Sequence, residues 1–252
     1  MVSHAESGFS RRARRAYTRD MPRPALLAVS HGTSDADGAA AIALLVRRIA
    51  ERIPDAAVHA GFVDVQQPDA PSALAAIEGP AVVVPLLLSQ GFHVRVDLGR
   101  TAAARDDAVV TDPLGPDPRL ADVLAMRLAE TDAETDAPVV LAVAGSRDPR
   151  SLPDAEGMAA LLATRLGRDV VPAYLAAREP SIAEALRAHP GAVVATYLLA
   201  HGYFFDVTRR EAGSHSLTEP LLDGGEPPSA LVELVIDRYL AGEAELAALR
   251  GR

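Results

Sequence analysis

Short apolar runs alternate along the chain with stretches in which hydrophobic residues recur at helical spacing. In the stretch 42–53, aliphatic residues fall at i, i+3, i+4, i+7 and i+11, which marks one buried face of a helix. The short apolar runs are rich in β-branched residues, so they predict strands. They lie near residues 25–30, 58–64, 81–88, 108–112, 138–144, 169–176, 192–199 and 215–218. This alternation predicts an α/β fold built on parallel strands.

The pattern occurs twice in the chain. The run 26–33, which reads LLAVSHGT, is echoed 113 residues later by VVLAVAGS at 139–146. The run that starts at Ala81 is echoed from Ala192, at an offset of 111. Each copy of about 110 residues is long enough to enclose a core of its own.

We therefore predict two similar lobes, each a four-stranded parallel sheet flanked by helices, with the flavodoxin-like strand order 2-1-3-4. The first lobe spans residues 22–131 and the second lobe spans residues 138–246. The stretch 132–137 between them is polar and has no periodicity, so we interpret it as a linker.

The arginines are unevenly placed. Residues 1–21 hold five arginines against two acidic residues, so this stretch carries +3 although the whole chain carries −9. It has no apolar segment of the kind found in signal peptides, so we predict a disordered basic extension, with Met21 as a second possible start, on a cytoplasmic protein. The acidic remainder argues against a nucleic-acid partner. No apolar run approaches the roughly 20 residues that span a bilayer, so we expect no membrane partner.

The sequence contains neither cysteine nor lysine. Their absence excludes disulfides, thiolate metal sites, cysteine nucleophiles and lysine Schiff bases. Chemistry must therefore come from histidine, carboxylate and hydroxyl side chains.

Three polar residues follow predicted strands of the first lobe. His31 directly follows the first strand, Asp64 ends the second, and His93 comes soon after the third. In the predicted strand order these strand ends are neighbours, about 4.8 Å apart, so the side chains should gather at one edge. Two imidazoles and a carboxylate suit a divalent transition metal such as Fe²⁺ or Co²⁺. A neutral imidazole also acts as a base near neutral pH.

The second lobe lacks all three polar residues. Ala144, Ala176 and Phe204 stand at the equivalent positions, whereas the glycines of the same loops occur in both copies. If the polar groups only served the fold, both copies would need them. The asymmetry therefore predicts a single site, in the first lobe.

Three segments resemble the sirohydrochlorin cobalt/iron chelatase family, which is allied to the ferrochelatases. They are VSHGT at 29–33, GFVD at 61–64 and PLLLSQGFHVRVD at 85–97, and the resemblance extends over about residues 24–242. It implies a chelatase-like fold of two facing lobes and a lyase that inserts Fe²⁺ or Co²⁺ into sirohydrochlorin, in siroheme or cobalamin biosynthesis. It also implies that His31 and His93 form the catalytic, metal-handling pair beside Asp64, and that no cofactor is needed beyond the substrate metal.

The implied substrate carries many carboxylates, so an acidic protein must line its cleft with cations. The residues that we expect to contact it are Thr33, Arg95, Ser146, Arg147, His201 and Arg209. The chain departs from the family pattern in two places. The family commonly has Glu in place of Asp64, and Gly-Arg-Gly-Ser where this chain has residues 143–146.

Two other functions compete with this interpretation. A histidine at a strand end also begins the histidine phosphatases, but these need an arginine directly before it, and Ser30 stands there. A non-catalytic carrier of metal or tetrapyrrole, built on the same two lobes, stays open. Ligand type alone does not separate iron from cobalt.

Overall fold

The fold is described from a computed structural model that covers residues 23–90, 98–103 and 105–250. The predictions for residues 1–21, His93 and Arg95 lie outside these residues.

Strands and helices alternate through the described part of the chain. The strands are β1 (Ala25–Ser30), β2 (Val58–Phe62), β3 (Ala81–Pro85), β4 (Ala108–Val110), β5 (Val139–Val143), β6 (Val170–Tyr174) and β7 (Val193–Tyr197). The helices are α1 (Ala36–Arg52), α2 (Ala70–Ala75), α3 (Gly99–Ala103), α4 (Pro118–Ala129), α5 (Ser151–Leu166), α6 (Ile182–Ala188), α7 (Tyr203–Ala212) and α8 (Ser229–Arg250). The predicted α/β class is confirmed.

Both sheets are parallel and share one register. The first sheet has the order β2-β1-β3-β4, which confirms the predicted flavodoxin-like order, and Val29 lies opposite both Gly61 and Pro85. The second sheet has the order β6-β5-β7, with Val143 opposite Tyr174 and Tyr197. In each lobe, the carboxyl ends of three adjacent strands therefore meet at one edge.

The fourth strand predicted for the second lobe, near residues 215–218, does not form. In the described residues it is reduced to one bridge, between Val194 and Leu217. Beyond the bridge, the backbone N–H of Thr196 donates to Oγ1 of Thr218 at 2.8 Å, where a strand would offer a carbonyl. The hydroxyl of Thr196 donates in turn to the carbonyl of Thr218 at 2.8 Å. Two buried threonines thus replace the pairing that a longer strand would supply.

Alternate residues of β1 face two different helical layers. Leu26 and Ala28 belong to a central apolar cluster that also contains residues of α1, α4, α5, α8 and both sheets. Leu27 and Val29 face the opposite way, into a smaller cluster formed with α2. A corresponding outer cluster covers the second sheet with residues of α6. The four larger helices therefore lie between the two sheets.

The last helix of each sequence copy packs on the other lobe. Helix α4 contacts β7 and α5, whereas α8 contacts β3 and β4. The fit of α8 is close, because a Cβ at Gly242 would lie 2.4 Å from Cγ1 of Val82. The Tyr239 hydroxyl donates to the Pro24 carbonyl at 2.7 Å, and Arg23 pairs with Glu243. Side chains of one sequence copy thus pack against the other copy.

Among the described helices, none combines the length and the apolar character needed to cross a membrane.

Candidate active site

The loops after β1 and β2 are joined through their backbones. His31 directly follows β1 and is exposed. Its carbonyl accepts a hydrogen bond from the Asp64 N–H at 3.0 Å, and the Ser30 carbonyl accepts one from the Val63 N–H at 2.9 Å. Gly32 permits this approach, because it has φ +91° and a Cβ there would stand 2.2 Å from the Asp64 carbonyl oxygen. The predicted juxtaposition of the loops that carry His31 and Asp64 is confirmed.

The Asp64 side chain is exposed on this loop. Its Oδ1 accepts a hydrogen bond from the Val65 N–H at 2.7 Å. It also lines a cavity of about 450 Å³, whose other polar side chains are Asp69, Arg100 and Thr101. Within the described residues, no group of three histidine or carboxylate side chains could hold a metal. The metal set predicted with His93 therefore stays a prediction.

The second lobe repeats the loop frame without its polar side chains. Gly145 has φ +81°, and a Cβ there would stand 2.0 Å from the Ala176 carbonyl oxygen, as Gly32 stands to Asp64. The residues that follow Asp64 and Ala176 also match. Val65 has φ +63° and Ala177 has φ +64°. The two lobes therefore share a scaffold and differ in the chemistry placed on it.

Thr33 and Ser146 have matching roles in the two lobes. The Thr33 hydroxyl accepts a hydrogen bond from the Asp35 N–H at 3.1 Å, and the Ser146 hydroxyl accepts one from the Asp148 N–H at 3.1 Å. Each hydroxyl stabilises the turn before a helix. Their contact with substrate stays a prediction.

The loop after β7 reaches across to the first lobe. The His201 carbonyl oxygen lies 2.1 Å from where a Cβ of Gly38 would stand, so the absence of that Cβ lets the loops meet. Gly202 lies against Thr33, whose Oγ1 would be 2.8 Å from a Cβ at Gly202. The structure thus brings His201 to the loop that begins with His31.

The imidazole of His201 is fixed by neighbours of its own lobe. Its Nε2 lies 2.6 Å from Oε2 of Glu219. Its ring stacks on Phe205, with centroids 4.6 Å apart and planes within 2°. The Arg209 guanidinium lies over the Phe205 ring at 5.4 Å and also pairs with Asp206. Sequence reasoning missed Glu219, because no spacing in the chain links it to His201.

The loop after β3 reaches across in the other direction. The Gln90 N–H donates to Oδ2 of Asp154 in α5 at 2.5 Å, and the buried Tyr197 hydroxyl donates to the Leu88 carbonyl at 2.9 Å. Burial, together with the nearby Asp112 carboxylate, raises the pKa of Asp154 although the bond from Gln90 opposes the shift. Sequence reasoning missed Asp154 and Tyr197.

The arginine side chains of the second-lobe loops differ in whether they bind other residues of the protein. Arg178 donates to the carbonyls of Ser146 and Asp148 at 2.8 and 2.9 Å. Arg150 pairs with Asp148. The Arg147 carbonyl accepts a hydrogen bond from Arg178 at 3.3 Å, whereas its exposed guanidinium makes no hydrogen bond or ion pair with the residues that the structure describes. Of these three, Arg147 is therefore the cation free to meet a substrate carboxylate.

A larger cavity of about 800 Å³ lies at the opposite end of the second sheet, where β5 and β6 begin. Its walls include alanines of α5 and the aliphatic part of β6, and its Arg168 donates to the carbonyls of Glu134 and Ala137. It contains none of the predicted site residues. The loops at the carboxyl ends of the strands, where the charged and aromatic groups converge, are the better candidate.

Comparison with known proteins agrees with this geometry. The CbiX family model matches the chain twice, over residues 25–131 and 138–248. A sirohydrochlorin ferrochelatase from Priestia megaterium is 27% identical over 205 residues, which cover 74% of this chain and 77% of that protein. SirB from Bacillus subtilis with Fe³⁺ is 24% identical with a TM-score of 0.71, over 86% of this chain and 94% of that one. SirB from Bacillus subtilis subspecies spizizenii in complex with cobalt is 22% identical with a TM-score of 0.71, over 88% and 96%. These solved structures confirm the two-lobed fold, and the double match of the family model shows that this chain belongs to the CbiX family.

Proposed function

We propose that this protein is a metal chelatase that inserts Fe²⁺ or Co²⁺ into sirohydrochlorin, where the carboxyl ends of its two sheets face each other. Membership of the CbiX family supports the reaction class. A relative with 27% identity is a sirohydrochlorin ferrochelatase, which supports the tetrapyrrole substrate. Solved structures of similar fold hold iron or cobalt, so we propose either metal as the second substrate.

The contrast between the lobes carries the proposal. Both lobes have the same glycine-based loop frame, but only the first places a histidine and a carboxylate on it, at His31 and Asp64. A duplicated frame that has polar groups in one copy alone separates the needs of the fold from those of chemistry. The first lobe is therefore the metal-handling lobe.

The proposed reaction needs a metal donor and a proton acceptor. The ring nitrogens bind the metal as two N–H protons leave, so a group that first holds the metal and then accepts a proton serves both steps. We assign these roles to His31 and His93, with Asp64 as a further metal ligand. His31 is exposed at the end of β1 and is accessible to both substrates.

The second lobe is proposed to hold the tetrapyrrole. Arg147 is exposed and makes no ion pair within the described residues, so its charge is available to a carboxylate. His201 stacks on the ring of Phe205, and the Arg209 guanidinium lies over the same ring. Thr33, Arg95 and Ser146 complete the proposed contacts.

The experiment is an anaerobic absorbance assay of metal insertion, run with Fe²⁺ and Co²⁺ in turn. His31→Ala and His93→Ala should each lower kcat by about 10²-fold or more, the usual contribution of general acid–base groups. His59→Ala is the matched control, because His59 is an exposed histidine of β2 away from these loops.

Either variant turning over at nearly the wild-type rate, with unchanged thermal unfolding, would contradict the site assignment. The same assay separates an enzyme from a carrier. An enzyme metallates an excess of tetrapyrrole, whereas a carrier stops after one equivalent.

A further inference from the structure

We propose that Asp154 and Tyr197 of the second lobe are positioning residues for the first-lobe segment that begins at Gln90 and leads to His93. We call this pair of residues the second-lobe clamp. The inference rests on the proposed function in one respect, the metal role of His93.

The clamp grips the backbone after β3 at two points. The Tyr197 hydroxyl donates to the Leu88 carbonyl at 2.9 Å, and Oδ2 of Asp154 accepts from the Gln90 N–H at 2.5 Å. Leu88 and Gln90 are two residues apart, so both ends of a short backbone stretch are fixed. His93 follows Gln90 by three residues. The other lobe therefore fixes the backbone as far as Gln90.

The surroundings of Tyr197 are shaped for this bond. The side chain is only 2% exposed, which makes its hydroxyl a fixed donor. Gly115 lies against both partners, and a Cβ there would stand 2.0 Å from the Tyr197 hydroxyl and 2.4 Å from the Leu88 carbonyl oxygen. The absence of a side chain at Gly115 thus leaves room for the bond to form.

The second lobe treats its equivalent loop differently. His201 occupies the position equivalent to Gln90, and there the first lobe presents Gly38, which has no side chain. The carboxylate contact occurs at the loop that leads to His93, and glycine packing occurs at the loop that leads to Phe204. Of these two loops, the one that a carboxylate anchors is therefore the one that leads to the histidine.

A charged Asp154 also holds the loop at a cost in stability. It is partly buried and faces the Asp112 carboxylate, both of which disfavour its charged form. An uncharged acceptor would make the same bond at lower electrostatic cost. Ionisable groups whose charged form the fold disfavours cluster at functional sites.

The test measures Co²⁺ affinity, kcat and the KM for sirohydrochlorin in Asp154→Ala, Asp154→Asn and Tyr197→Phe. Loss of an outer partner of a metal ligand typically costs about 10–100-fold in metal affinity or activity. Asp154→Ala should therefore weaken Co²⁺ binding and lower kcat by about tenfold or more. The KM for sirohydrochlorin should stay within about twofold of the wild-type value, because the substitution removes no contact with that substrate. Asp154→Asn should retain near wild-type values, because its amide oxygen still accepts from Gln90.

The matched control is Glu156→Ala, which removes an exposed carboxylate from the same helix. His93→Ala is measured alongside. If His93→Ala weakens Co²⁺ binding and Asp154→Ala does not, the clamp is refuted and the proposed function stands. If His93→Ala binds Co²⁺ as the wild type does, the metal role of His93 and the clamp both fall. Should Asp154→Ala not fold, Tyr197→Phe decides, and wild-type affinity in that variant refutes the clamp.

Discussion

Gly38 of the first lobe lies directly against the carbonyl oxygen of His201 in the second lobe. A Cβ at Gly38 would stand 2.1 Å from that oxygen and 3.0 Å from its carbon. Gly38 is also held from its own side, because its N–H donates at 2.7 Å to Asp35, the N-cap of α1. The start of α1 is thus fixed between its cap and the opposite lobe, and it has no room for a side chain.

Gly38→Ala should therefore push the two loops apart. The added methyl group meets backbone rather than a movable side chain, so we expect a loss of about 1–3 kcal/mol in the free energy of unfolding. The KM for sirohydrochlorin should rise with it, because the opposing loops form the proposed substrate site. Chemical denaturation and steady-state kinetics measure the two effects.

Gly157→Ala is the control for this change. Gly157 lies in α5 of the second lobe, and a Cβ there would be 3.5 Å from its nearest neighbour, an ordinary contact. Replacing a helical glycine with alanine should then stabilise the protein by up to about 1 kcal/mol. A Gly38→Ala protein as stable as the wild type would show that the loops can separate without cost.

His201→Ala should raise the KM for sirohydrochlorin more than it lowers kcat. The ring is held by Glu219 and Phe205 in the lobe that lacks the proposed metal-handling residues. Loss of a group that binds substrate and transition state equally raises KM and leaves kcat unchanged. Arg209→Ala should act in the same direction, and steady-state kinetics at saturating metal measures both.

Arg210→Ala is the matched control, since Arg210 is the exposed neighbour of Arg209 on α7. A His201→Ala enzyme that binds sirohydrochlorin normally but no longer turns over would place catalysis in the second lobe. That result would reverse the division of labour proposed for the lobes.

Asp154→Asn should make the protein more stable at neutral pH. Burial and Asp112 raise the pKa of Asp154 in the folded protein, so the folded state holds this proton more tightly than the unfolded chain does. The wild type therefore loses stability as pH rises through the ordinary aspartate pKa to the raised one, and asparagine does not. Urea denaturation should show equal stabilities near pH 3 and a more stable variant near pH 7.

Asp69→Asn should behave in the opposite way. Hydrogen bonds from Ser72 lower the pKa of Asp69, so its charged form stabilises the folded state at neutral pH. That contribution is present above the ordinary aspartate pKa and is lost as pH falls through the lowered one.

If Asp154→Asn destabilised the protein near pH 7, the Asp154 carboxylate would stabilise the fold more through its bond to Gln90 than it destabilises it through burial.

Much of the fold could be predicted because the signals were local and occurred twice. Apolar runs located all seven strands of the described residues, and the common strand order placed His31 beside the Asp64 loop. The run at 215–218 was misleading because side-chain bonds between Thr196 and Thr218 replace the backbone pairing that defines a strand. A short apolar run does not reveal which groups will satisfy its backbone.

The contacts between lobes could not be predicted from the sequence. An amphipathic stripe shows that one face of α8 is buried, but it does not show which sheet covers that face. For the same reason, nothing near Asp154 points to Gln90, which lies 64 residues away. Gly38 and Gly242 offered local signals, since each is a glycine within a helix.

The exchange of α4 and α8 also sets the order in which the molecule can be completed. As the ribosome releases the chain, the face of β3 that α8 will cover must wait for the whole second lobe to be made. The bond from Tyr239 to Pro24 closes a loop of 215 residues, a long-range contact of the kind that slows folding. The lobe that is synthesised first is therefore the lobe that is finished last, and until then its apolar sheet face is the surface most exposed to misassembly.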